Sequence, residues 1–262
     1  RAVAGTGNQK LIAGFVVAGA GTKTVLVRGI GAALIDFGLA DALRDTFLKV
    51  VNAQGSILLQ NDNWGDGGNG QPISSTAANL AAFSLAAGSR DAAALVTLAP
   101  GAYTAQVTGV GGASGVALAE VYDANPSSTA AILTNFSLRT QVGTAANILI
   151  AGFVVGGELP VKVLIRGLGP SLAQFGVGGI LVDPKLTIFN SLGTAIASND
   201  NWDDADAANL TLTAQVVGAF ALAVGSRDAT LLLTLTPGAY TAHLMGVANA
   251  TGVGMIELYT VP

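Results

Sequence analysis

Two stretches of this chain gather oxygen-bearing side chains in a pattern that could do chemistry. Asn61-Asp62-Asn63-Trp64 is followed by Asp66, and Asn199-Asp200-Asn201-Trp202 is followed by Asp203, Asp204 and Asp206. Calcium prefers carboxylate and carbonyl oxygens, which makes Asp62, Asp66, Asp200, Asp203 and Asp204 candidate calcium ligands. The spacing is not that of an EF-hand, since no glutamate closes the loop at its last position. The indoles offer a second chemistry: Trp64 and Trp202, if exposed, are candidate platforms for a polysaccharide. A third reading is structural, an Asx-turn with the tryptophan packed beneath it. Glycines replace several of the acids in the first copy, and that asymmetry favours the turn.

Other polar residues are read as structural. Arg28 and Arg166 sit inside otherwise apolar strands, as do Glu120 and Glu257. A buried charge needs a partner, so Arg28–Glu120 and Arg166–Glu257 are expected as ion pairs. Gly88-Ser89-Arg90-Asp91 and Gly225-Ser226-Arg227-Asp228 read as tight turns, each followed by a local Arg–Asp pair. The Gly-x-Gly of RGIGAAL and RGLGPSL lacks both the P-loop lysine and the third Rossmann glycine. His243 is the only histidine, which leaves no histidine triad repeated along the chain and no histidine-rich zinc site. No acidic pair stands apart from the turn acids as a glycosidase would need. The expectation is a protein that is not an enzyme, with calcium as its one candidate cofactor.

Composition narrows the class further. Of 262 residues, 51% are hydrophobic and 11% charged, with a net charge of −4 and no cysteine. Phosphate binding needs clustered Lys and Arg, so nucleic acid is not an expected partner. The apolar run Leu11–Gly21 is too short and glycine-rich to span a bilayer. Disulfides and thiolate metal sites are excluded. A surface so poor in charge suggests cover by something else, most simply by copies of the same chain.

The elements that must position these residues come in duplicate. Leu11–Gly19 returns as Leu149–Gly157, and Val25–Gly31 as Val163–Gly169. The Asn-Asp-Asn-Trp motif, the Gly-Ser-Arg-Asp turns, Pro100–Ala105 with Pro237–Ala242, and Glu120 with Glu257 complete the correspondence. Short alternating strands with Gly/Pro turns predict an all-β fold: two tandem homologous antiparallel β-sandwich modules, jelly-roll-like. The expected boundaries are module 1 over 1–123, a linker over 124–130 and module 2 over 131–262. Hairpins are expected at 47–61 and at 91–110, and short helices at 32–38 and 77–83. The strand ending in Tyr122 is apolar on both faces and reads as an edge or final strand needing cover from a neighbour.

The run Ala131–Arg139 leads into the second module and has no counterpart ahead of the first. An unfilled strand position leaves unpaired backbone, which a strand from another chain remedies. Ile132, Leu133, Phe136 and Leu138 are the candidate assembly residues of that strand. A head-to-tail contact of this kind propagates into a filament unless it closes into a ring. Asn135, Asn209 and Asn249 sit in glycosylation sequons.

The repeated string that runs from LIAGFVV through VLIRGLGPSL, NDNW and GSRDA to PGAYTA resembles a β-sandwich repeat module found in tandem in large secreted or surface proteins of environmental bacteria. It covers nearly all of both modules. The first copy departs from it at Ala32-Ala33, where the second has Pro170-Ser171, and at Thr46, where the second has Pro184. The PGAYTA half is also similar to the pre-peptidase C-terminal family of extracellular sandwiches, whose calcium residues do not map cleanly onto this chain. The resemblance implies an extracellular or cell-surface location, any leader having been removed, and a non-catalytic role. The expected partners are copies of the chain itself, with extracellular polysaccharide as the alternative.

Overall fold

A computed structural model describes residues 1–204 and 206–262. The chain is all-β with few and short helices, and its β-sheets are antiparallel. It divides into two compact units, Arg1–Phe136 and Ser137–Pro262.

In the first unit, β1 (Ala2–Ala4), β2 (Leu11–Gly19), β3 (Lys23–Ile30), β4 (Thr46–Asn52) and β5 (Ile57–Asn61) precede α1 (Gly70–Asn79). After it come β6 (Ala92–Leu98), β7 (Gly101–Gly109), β8 (Gly115–Asp123) and β9 (Ala131–Val142). One sheet has the order β1-β8-β3-β6; the facing one runs β2-β7-β4-β5, with the first half of β9 beside β2. The sheets approach closely at Gly29, where a Cβ would meet the Val107 side chain at 3.0 Å. Alternation puts Val25, Val27 and Ala119 between the sheets and Leu26, Ala93 and Tyr122 on the opposite face. That outer face is covered by α1, whose Ile73 and Ala77 lie one turn apart on the same side and pack with Trp64 over Leu26.

In the second unit the rest of β9 precedes β10 (Leu149–Val155), β11 (Val161–Leu168), β12 (Pro184–Asn190) and β13 (Ala195–Asn199). Then follow α2 (Ala207–Val216), β14 (Ala229–Leu235), β15 (Gly238–Gly246) and β16 (Gly252–Thr260). The two sheets are β14-β11-β16, continued by the second half of β9, and β10-β15-β12-β13. Asp206 caps α2 by accepting from Asn209 N, and Gly218 turns left-handed (φ 72°) just beyond its end.

Several expectations are corrected. β6 and β7 are not a hairpin: β6 pairs with β3 and β7 with β2 and β4, so the Pro100-Gly101 turn carries the chain from one sheet to the other. The expected helix at 77–83 is α1 at 70–79, ended where Ala81 adopts φ 54°. The helix at 32–38 is a 3-10 turn, Ala32–Phe37. β8 is not an edge strand; it lies between β1 and β3, and its second apolar face is covered by the unit's own helical layer. Ala2–Ala4 run beside β8, at the positions that Thr140–Val142 hold in the second unit.

The segment 124–130 is gripped rather than loose. Lys23, buried at 1% exposure, donates through Nζ to Asp123 Oδ2 and to the carbonyls of Asn125 and Ser128, each at 2.9 Å. The Ala130 carbonyl then accepts from Ala20 N (2.9 Å) and Gly21 N (3.2 Å), which seats Ala131 against the end of β2. A Cβ on Gly19 would lie 2.3 Å from that carbonyl, whereas its equivalent Gly157 has nothing within 4 Å. Both glycines are left-handed, so an alanine at either carries a backbone cost of about 1–2 kcal/mol. Only Gly19→Ala adds a steric cost, about 1–3 kcal/mol, by driving the incoming strand away. Chemical denaturation of the two variants should therefore show the larger loss for Gly19→Ala; equal losses would mean that Ala131 does not seat there.

Candidate functional site

The repeated Asn-Asp-Asn-Trp motif forms a corner in each unit. Asn61 Oδ1 accepts from Ala93 N at 2.9 Å and its amide donates to Asn63 O at 2.9 Å; Asn199 does the same with Thr230 N and Asn201 O, both at 2.8 Å. The corner thus ties the end of β5 to β6, and of β13 to β14. The tryptophan that follows turns inward. Trp64 is 8% exposed and Trp202 4%, and their indole N–H groups donate to Ala86 O (3.2 Å) and Ala223 O (3.0 Å). This runs against the sugar-platform expectation, which needs exposed rings: both indoles are buried in the clusters formed with α1 and α2.

The five candidate calcium carboxylates are spread along these corners. Asp62 Oδ1 and Asp66 Oδ2 both accept from the Asn63 amide, at 3.3 and 3.2 Å. Asp203 Oδ2 accepts from Gly225 N at 2.7 Å and Asp204 Oδ2 from the Asn201 amide at 3.1 Å, while Asp200 is half-buried beside them in the chain. Among the described residues no three metal-ligating side chains converge.

The four charged residues expected in pairs are brought together. Arg28 Nε is 2.7 Å from Glu120 Oε2, and Arg166 reaches Glu257 Oε2 through Nε (2.8 Å) and Nη2 (2.6 Å). Their strands are directly opposed, with Arg28 in register with Glu120 and Arg166 with Glu257. Each arginine also donates Nη1 to a carbonyl of the helical layer, Phe83 O at 2.7 Å and Phe220 O at 2.6 Å, and lies over the same phenylalanine ring at 4.4 and 4.2 Å. The arginine therefore fastens the outer layer to the sheet. Burial, and then Glu120, which accepts its hydrogen bond at 2.9 Å, raise the Tyr122 hydroxyl pKa well above its ordinary range.

The Arg-Asp turns are wired differently from expectation. Arg90 reaches Asp45 Oδ2 at 2.8 Å and Arg227 reaches Asp183 Oδ2 at 2.6 Å, so neither pairs with the aspartate that follows it. Those aspartates are fully buried. Asp91 accepts from Gly31 N (2.7 Å), Ala33 N (3.1 Å) and the Ser89 hydroxyl; Asp228 accepts from Gly169 N (2.8 Å), Ser171 N (3.2 Å) and the Ser226 hydroxyl. A carboxylate saturated by turn donors is a loop anchor. Sequence reasoning missed this role, although Gly31, Ala33 and Asp91 recurring together as Gly169, Ser171 and Asp228 was the available signal.

The assembly residues divide between the units. Ile132 is exposed and Leu133 and Phe136 half-buried in the first, while Leu138 is buried in the second. The units differ most at the strands they flank. β2 has β7 on one side and β9 on the other, whereas β10 is the outermost strand of its sheet. Phe15 is 2% exposed and its equivalent Phe153 half-buried; Val16 is half-buried and its equivalent Val154 is 75% exposed. The sequons differ too, Asn135 being half-buried and Asn209 and Asn249 exposed.

Two measurements check this geometry. Glu257→Leu strands Arg166 unpaired and should cost about 3–5 kcal/mol of stability, most of which the double replacement with Arg166→Met restores; a loss under about 1 kcal/mol for the single variant would mean the pair is solvated. Acrylamide should quench the native indole fluorescence weakly and strongly only after denaturation, and added oligosaccharides should leave the emission unchanged. Strong native quenching would place the indoles in solvent.

No protein-family model matches the chain, and no curated protein does. Among solved structures, the major capsid protein P2 of bacteriophage PM2 aligns over 100% of this chain and 96% of its own, at 8% identity and a TM-score of 0.23. A structure of Sulfolobus turreted icosahedral virus aligns over 98% and 84%, at 12% identity and a TM-score of 0.25. PNGF-II aligns over 100% of this chain and 59% of its own, at 11% identity and a TM-score of 0.22. Similarity at this level assigns neither fold nor function.

Proposed function

We propose that this is an extracellular, non-catalytic structural protein whose copies polymerise by adding a strand of one molecule to a sheet edge of the next, giving a filament or surface layer. One observation carries the reading. β10, the outermost strand of its sheet, repeats over Gly152–Val155 the sequence of β2, which in the first unit has β9 beside it. Exposed edges of this kind pair with other chains unless they are blunted by charge, proline or cover.

The surface of the second unit supports the same reading. Leu192, Leu212, Val216 and Val224 are 86%, 63%, 65% and 90% exposed. The equivalent positions in the first unit hold Gln54, Ser75, Asn79 and Ala87. The duplicated fold does not require apolar residues there, since the first copy does without them. Apolar side chains in water are a feature of contact surfaces. The buried polar residues described above serve as pairs, corners and loop anchors, which fits a role without catalysis.

Light scattering and negative-stain microscopy across a concentration series test the proposal. Growth of regular polymers with concentration is expected. A species that stays monomeric at every concentration would refute it.

A further inference from the structure

We infer that the cavity beneath α2 in the second unit is a binding site for the neutral end of an unbranched chain, a primary alcohol whose hydroxyl bonds to Thr230 and whose first methylenes lie against the apolar lining. The site is internal to that unit and independent of how copies assemble.

The cavity measures about 30 Å³ and lies between α2 and the outer face of β11 and β14. Leu164, Arg166 and Thr230 line it from the sheet, and Leu210 and Ala214 from the helix. Gln215 and Ala221, the exposed members of the lining, mark where it opens. Thr230 is 5% exposed, and its Oγ1 is buried without a hydrogen-bond partner. It stands in register with Arg166, on the face of the sheet that α2 covers. The fold does not require that hydroxyl. The equivalent residue in the first unit is Ala93, and the backbone N–H groups of Ala93 and Thr230 make the same bond to the corner asparagine. A buried hydroxyl left unpaired is costly to keep, and a ligand that pairs with it removes that cost.

The lining sets the ligand's chemistry. Arg166 is its one charged side chain, and all three guanidinium nitrogens are engaged by Glu257 and the Phe220 carbonyl, so a charged ligand would go unmatched. The Thr211 hydroxyl and the Trp202 indole N–H are likewise taken, by the carbonyls of Ala207 and Ala223. The volume is about that of one water molecule in the liquid, which admits a slender chain and not a branched one. A water is the poorer occupant, because an internal water makes about three hydrogen bonds and this lining has one buried polar atom without a partner. An alcohol needs that one bond, and its methylenes gain the contact of Leu164, Leu210 and Ala214.

The test is methyl nuclear magnetic resonance of the intact protein titrated with n-butanol, with tert-butanol and butylammonium as comparisons. The methyl signals of Thr230, Leu210 and Ala214 should move along a saturating curve with n-butanol. Those of Ala93, Ile73 and Ala77, their equivalents in the first unit, should not. The branched alcohol and the charged amine should give only small, linear shifts. Thr230→Val keeps the shape of the side chain and removes the hydroxyl, and it should weaken n-butanol binding about fivefold. The comparison among ligands stands on the unaltered protein if that variant fails to fold. Linear shifts with every compound, equal responses in the two units, or a Thr230→Val variant that binds as tightly would overturn the inference. So would a long-lived water detected at Thr230 that n-butanol does not displace.

Discussion

Backbone amides and carbonyls at the rim of a β-sheet must find partners, and much of this molecule is arranged around that constraint. In the first unit the need is met within the chain. Lys23 holds the turn after β8, Gly19 leaves room for the Ala130 carbonyl, and the strand from Ala131 runs beside β2. The same strand continues beside β16, so one run of residues completes the first sandwich and begins the second. In the second unit the equivalent of β2 stays at the rim, with its apolar side chains intact. The difference between two nearly identical edges bears the functional reading.

A second constraint sets the composition. Each sandwich carries a third layer, a short helix and a 3-10 turn packed on the outside of one sheet. That layer buries the sheet's outer face, so strands such as β8 are apolar on both sides and the chain has little need of charge there. The charge that remains is placed where the layer must be fastened. A buried arginine reaches its glutamate on the next strand and a carbonyl of the layer above, and does so in both units. Ion pairs of this kind add little net stability compared with apolar substitutes, but they fix geometry, because leaving either partner alone in the interior is costly. Some of the charge poverty first attributed to covered outer surfaces is thus accounted for inside each unit.

The sequence made the duplication and the all-β class plain, because whole strands and turns recur in register. It also pointed to Arg28 with Glu120 and Arg166 with Glu257, since charges inside apolar strands have few ways to be satisfied. It did not show that β6 and β7 belong to opposite sheets, because a Pro-Gly turn reads the same whether it closes a hairpin or carries the chain between sheets. Nor did it show the partners of Arg90 and Arg227, which are distant in the chain and meet only in the fold. The tryptophan corners were ambiguous for a similar reason. Asn-Asp-Asn-Trp supplies ligand oxygens and turn oxygens alike, and only the inward direction of the indole separates the two. Counting strands put an open edge in the first copy, whereas in the structure β2 has β9 beside it and its equivalent β10 is the outermost strand of its sheet.

The most direct measurement of the central claim is electron cryo-microscopy of the assembled protein at a resolution that separates neighbouring strands. The account predicts continuous density for an extended chain of another molecule alongside Gly152–Gly157, as β9 lies beside β2. Assemblies in which that edge faces solvent, with the molecules joined through other surfaces, would contradict it.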